Sequence, residues 1–116
     1  MSERRWQIPD ELVQELLNAI EDKGKVYAKA KRRAAELEHK RKGMKASMMK
    51  VMEAHGIRSH QKQEVEALCH PTYELAVKAA CDAIEQEVNA QVAFENAERD
   101  WESWRTISAN ERKATR

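Results

Sequence analysis

Residues 25–51 read KVYAKAKRRAAELEHKRKGMKASMMKV, and the fold follows from the rhythm inside that stretch. Tyr27, Ala30, Ala34, Leu37, Arg41, Met44, Met48 and Val51 recur at alternating spacings of three and four. The same rhythm reaches back through Val13, Leu16, Ile20 and Lys23. A stripe that advances by three and four is one face of an α-helix, and its repeat every seven residues is that of a coiled coil. Gly43 interrupts the stretch without breaking the period.

A second stripe follows, through Ala76, Ala80, Ala83, Glu87, Ala90, Phe94, Ala97, Trp101 and Trp104. Between the two, residues 56–70 are the one plausible turn region. Gly56 is placed to cap a helix after Ala54 and His55, because glycine tolerates the left-handed backbone that ends helices. Residues 63–69 leave room for one short helix before Pro71, which opens the last long helix with Thr72 and Glu74. At the other end, Pro9, Asp10 and Glu11 read as a helix start, and a first helix runs to about Lys23. Gly24 either ends that helix or weakens it, since glycine inside a helix costs about 1 kcal/mol against alanine. The sequence leaves open whether residues 10–23 continue the long helix or fold back. The expected architecture is all-α: a single domain over residues 1–116, with helices at about 10–23, 25–55 and 71–112. Two long helices joined by a short connection form an antiparallel helical hairpin of coiled-coil type, with an additional N-terminal helix.

Charge agrees with this pairing. Residues 25–58 carry eleven Lys or Arg against three Glu, whereas residues 74–102 carry two basic residues against eight acidic ones. The chain as a whole is nearly neutral, at +1. A basic helix beside an acidic one is expected to gain from cross-pairs on its flanks. A turn centred near Glu64 would set Arg41 level with Glu87, Ala34 with Phe94 and Tyr27 with Trp101. Small residues then face large ones, as close packing requires.

Composition narrows the function classes. Charged residues make up 35% and aromatics 5%, with three Gly and two Pro, which suits helices and not a sheet protein. A chain this short and polar buries a modest core, so self-association or a partner is expected to add stability. Cys69 and Cys81 make no disulfide framework and point to a reducing cytoplasm. No apolar run approaches the roughly 20 residues that span a bilayer, and residues 1–6 lack an apolar signal core. Catalysis has no support: there is no Gly-rich phosphate loop, no nucleophile elbow and no His-Glu-x-x-His helix. A non-enzymatic protein without a cofactor is expected. His55, His60, Cys69 and His70 gather near the turn, but their spacing matches no standard zinc finger, and no metal is expected. The acids of 74–102 mostly lie outside the stripe and read as a solvated face.

The basic run carries the most chemistry. Lys29, Lys31, Arg32, Arg33, Lys40, Lys42 and Lys45, with Arg41 among them, mostly fall outside the core stripe and stand available to solvent. That many cations on a few helical turns suit a phosphate backbone. Pairing with the acidic helix would explain the same charges. Trp101 and Trp104, three residues apart and followed by Arg105, could stack bases. Both fall on the stripe, however, and read as its core. Met44, Met48, Met49 and Met52 read as adaptable core near the turn, or as an oligomer contact.

The basic segment from Tyr27 to Glu38, a turn, and a long acidic helix closing on Trp104, Arg105, Thr106, Ile107, Ser108, Ala109, Asn110, Glu111 and Arg112 resemble small helical proteins of tailed bacteriophages. Those are often encoded in recombination and replication modules, near single-strand annealing proteins and nucleases. The resemblance covers about residues 25–113. In layout and charge order the chain is also more distantly similar to UvsY-type recombination mediators, short helical proteins that assemble into rings and help load a recombinase onto single-stranded DNA. The resemblance implies an accessory in the host cytoplasm that binds single-stranded DNA or a recombinase, annealing protein or nuclease. It carries over no functional residue; the sites are Lys29, Lys31, Arg32, Arg33, Lys40, Lys42, Lys45 and Arg105, read from charge. The alternative readings are a coiled-coil adaptor or inhibitor of a host or phage protein, such as a nuclease inhibitor, and a virion assembly or scaffolding protein.

Overall fold

The computed structural model describes residues 10–114. Pro9 and residues 1–6, on which a helix start and the lack of a signal core were read, lie outside them. The described residues form three helices and no strand: α1 at Asp10–Ala54, α2 at His60–Cys69 and α3 at Pro71–Ala114. Helices α1 and α3 pack against each other as a helical hairpin. No helix of the described residues is long and apolar enough to cross a membrane.

Residues 10–23 do not form a separate helix; they are the first turns of α1, which runs on through Gly24 and Gly43. Asp10 and Glu11 in its first turn complement the helix dipole. Its end is a Schellman motif. Gly56 adopts φ +95°, the Ile57 N–H reaches the Met52 carbonyl at 3.0 Å, and the Gly56 N–H reaches the Glu53 carbonyl at 3.1 Å. The expected turn at 56–70 holds more structure than a turn. Helix α2 begins three residues before Gln63, with Ser59 as its N-cap accepting the Lys62 N–H. His70 then serves both neighbours. Its N–H bonds the Ala67 carbonyl and ends α2, while its carbonyl accepts the Glu74 N–H and its ring Nδ1 accepts the Thr72 N–H at 3.2 Å, starting α3 at Pro71.

The chain divides into two compact units. One, residues 29–88, holds the later part of α1, all of α2 and the start of α3. Its buried residues are Ala34, Gln63, Ala67, Tyr73, Ala80 and Ala83. Gln63 is tied by its side-chain amide to the Ile57 carbonyl, so the α1–α2 connection closes over a satisfied polar group. Arg41 sits half-buried, with Nε and Nη2 on the Glu38 carboxylate and Nη1 donating to the Tyr73 hydroxyl at 2.7 Å. Met44, Met48, Val51 and Met52 border a shallow apolar recess of about 220 Å³ beside Ser47 and His70.

The other unit joins residues 10–28 of α1 to residues 89–114 of α3. Ala90, Ala97 and Ser108 are buried in it. The rings of Tyr27 and Phe94 lie 6.1 Å apart between centroids, tilted by 32°. Gly24 faces the same ring: a Cβ there would stand 3.2 Å from Phe94. Glycine at this position makes room for an aromatic side chain and does not end a helix.

These contacts revise the expected register. Phe94 takes the place expected of Trp101 against Tyr27, seven residues earlier in α3. Tyr73 takes the place expected of Glu87 against Arg41, fourteen residues earlier. Both displacements are whole heptads. A stripe that repeats every seven residues looks the same after such a slip, so the pattern alone fixes the face and not the register. The chain taken up by α2 moves the return of the hairpin away from Glu64.

Candidate nucleic-acid interface

The seven expected cations of α1 all lie in the 29–88 unit. A helix turns by about 100° per residue, so their order along the chain gives their faces. Lys29, Arg33 and Lys40 fall on one flank of the helix. Lys31, Lys42 and Lys45 fall on the other, and Arg32 stands almost opposite the buried Ala34. The run is therefore not a single stripe but a collar over both flanks and the back of α1.

Six of the seven are exposed: Lys29, Lys31, Arg32, Arg33, Lys40 and Lys42. None of these six makes an ion pair or side-chain hydrogen bond with a described residue. Lys45 differs. It is half-buried, and its Nζ lies 2.9 Å from Glu64 Oε1 of α2, whose carboxyl the contact holds below the usual carboxylate range. Lys45 is thus a link between α1 and α2 and not an open cation. Arg41, the eighth charge of the run, is committed to Glu38 and Tyr73. The guanidinium in turn draws the Glu38 carboxyl below its ordinary value.

The expected cross-pairing of the two long helices is absent from this unit. No Lys or Arg of α1 within residues 29–88 is ion-paired with an α3 carboxylate. The reason is geometric. The free cations spread over the flanks and back of α1, while α3 packs on the side of Ala34. Glu36, exposed between Arg33 and Lys40, is the single carboxylate among the outward positions of residues 29–42.

Arg105 belongs to the other unit, where its guanidinium donates to Glu102 at 3.1 Å. Trp101 and Trp104 are both half-buried, and their rings stack on each other, 6.1 Å between centroids and 10° from parallel. Each indole thereby spends part of a face on its neighbour. Arg105, Glu102, Thr106, Ser108, Ala109 and Arg112 line a cleft of about 340 Å³. The Ser108 hydroxyl is buried there without a hydrogen-bond partner among the described residues. Around the turn, His55, His60, Cys69 and His70 are all exposed, and no three His, Cys, Asp or Glu side chains of the described residues converge as a metal site would need. Cys69 and Cys81 are free and exposed.

The residues that order this unit from across the chain, Tyr73, Gln63 and Glu64, carried no individual signal in the sequence. Only the room for a short helix over residues 63–69 pointed to an ordered connection. The chain matches no protein-family model, no curated protein and no solved structure.

Proposed function

We propose that this chain is a non-enzymatic nucleic-acid-binding accessory of the phage recombination and replication type, which holds single-stranded DNA on the exposed flanks and back of α1. One observation supports the reading: Lys29, Lys31, Arg32, Arg33, Lys40 and Lys42 are exposed and none makes an ion pair with a carboxylate of the described residues, Lys42 alone acting at longer range on Glu38. Unpaired cations gathered on a few turns cost free energy through mutual repulsion. A polyanion relieves that repulsion and gains entropy as its own counterions leave. Single strands suit a collar that wraps a helix, because a flexible backbone can follow charges on two flanks. Free, exposed thiols at Cys69 and Cys81 support a reducing compartment, the cytoplasm of a host cell. A recombinase, annealing protein or nuclease acting on the same strand is the partner this reading implies.

Fluorescence anisotropy of a labelled single-stranded oligonucleotide, with a duplex control, tests it. Binding is expected to prefer the single strand and to weaken with salt, with a log–log slope near −4 if all six cations meet phosphates. Replacing Arg32, Arg33, Lys40 and Lys42 together by Gln is expected to abolish binding with helix content unchanged. Lys45→Gln and Arg105→Gln are expected to leave affinity within about twofold, since each side chain is already engaged. Absence of binding even at low salt would reject the reading in favour of a protein-docking adaptor or assembly protein.

A further inference from the structure

Helix α3 carries a second apolar row that its own hairpin leaves largely uncovered. The buried row runs through Tyr73, Ala80 and Ala83. Rotated by roughly a quarter of a turn lies another, Val77, Cys81, Ile84 and Val88. Ile84 is 45% and Val88 50% exposed, Cys81 is exposed, and Val77 is half-buried. Its spacings are four, three and four, the signature of a coiled-coil seam, and they read the same in both chain directions.

We propose that a second copy of this chain docks on this face, with the two α3 helices antiparallel about a twofold axis. The palindromic spacing lets every layer close at once: Val77 meets the partner's Val88, and Cys81 meets the partner's Ile84, each twice. Charge selects the same arrangement. Lys78 is the one basic residue between Pro71 and Glu98, and it flanks the row on the side away from the hairpin core. Glu85 flanks it on that same side, seven residues later. Neither makes an ion pair or side-chain hydrogen bond with a described residue. Antiparallel pairing sets Lys78 beside the partner's Glu85, and the symmetry repeats the pair. A parallel pairing would set Lys78 beside the partner's Tyr73 or Ala80, with no carboxylate to meet it. The dimer stands independently of the nucleic-acid reading; where both hold, it doubles the cationic collar on one strand and multiplies a weak site.

Sedimentation velocity over a concentration series tests this on the full chain. The wild type is expected to pass from monomer to dimer. Lys78→Glu, which faces two pairs of like charges, is expected to raise the dissociation constant by roughly tenfold or more. Lys78→Glu combined with Glu85→Lys is expected to bring it back to within about threefold of wild type, because the swapped pairs meet again. Ile84→Asp is expected to leave only monomer, with the far-ultraviolet circular dichroism of the wild type. A monomer at every wild-type concentration, an assembly larger than a dimer, or a Lys78→Glu variant that the second exchange does not rescue overturns the proposal.

Discussion

Arg41 of α1 donates a hydrogen bond to the Tyr73 hydroxyl near the start of α3 at 2.7 Å, and Glu87 takes no part in holding it. Tyr73 is 5% exposed, so its hydroxyl has little water to fall back on. Tyr73→Phe is expected to destabilise the fold by about 1 kcal/mol, the net worth of one such hydrogen bond. Glu87 is half-buried without an ion partner among the described residues, so Glu87→Leu is expected to leave the melting temperature unchanged or raise it. Thermal melts of the two variants decide the register. A large loss in Glu87→Leu with none in Tyr73→Phe would restore the Arg41–Glu87 pairing.

Gly24 and Gly43 sit in the same helix but in different surroundings. An alanine Cβ at Gly43 would meet nothing within 4 Å, while at Gly24 it would meet Phe94 at 3.2 Å. Gly43→Ala is expected to gain about 1 kcal/mol, the full difference in helix propensity. Gly24→Ala is expected to gain clearly less, because the ring must give way. In a Phe94→Ala background the two gains should become equal. Chemical denaturation of the six proteins measures this as a coupling free energy between positions 24 and 94.

Gly56 holds φ +95°, where a side chain strains the backbone whatever space surrounds it. Gly56→Ala is expected to cost about 1 kcal/mol or more by denaturant titration. Neighbouring His55→Ala, outside the left-handed region, is expected to change stability by less than half of that.

The Lys45–Glu64 contact makes stability depend on acid. Hydrogen bonding to Lys45 lowers the Glu64 carboxyl from its ordinary 4.5 in the folded state. A depressed folded value means the carboxylate form favours folding. Its contribution is present above pH 4.5 and is lost as pH falls through the lower folded value. Glu64→Gln has no such proton to take up. The wild type is therefore expected to melt above Glu64→Gln at neutral pH, with the gap closing below pH 4.5. A gap that stays constant down to strongly acid conditions would show that the ion pair contributes nothing.

The faces of both long helices were legible because core positions repeat at three and four, and Ala34, Ala80, Ala83, Ala90 and Ala97 are buried as that spacing requires. Their register was not, since the period hides slips by whole heptads. The true partners of Arg41 and Tyr27 lie earlier in α3 by one or two periods. Gly24 looked like a breaker because its reason for being small, Phe94, is 70 residues away in sequence. Among the cations, position on the helical wheel identified the six exposed ones. It missed the commitment of Lys45, which depends on α2 presenting Glu64, and that of Arg105, which depends on a local carboxylate one turn earlier.

Among the described residues the buried seam is built mostly of alanine, and no large side chain is completely enclosed. Unfolding such a seam uncovers little hydrocarbon for its length. The heat-capacity increment should therefore fall below the roughly 12–15 cal/mol/K per residue usual for globular proteins. A small increment flattens the curve of stability against temperature. The protein would then lose little stability on cooling and soften gradually on warming, holding its fold over a broad thermal range by shallow margins spread along the helices.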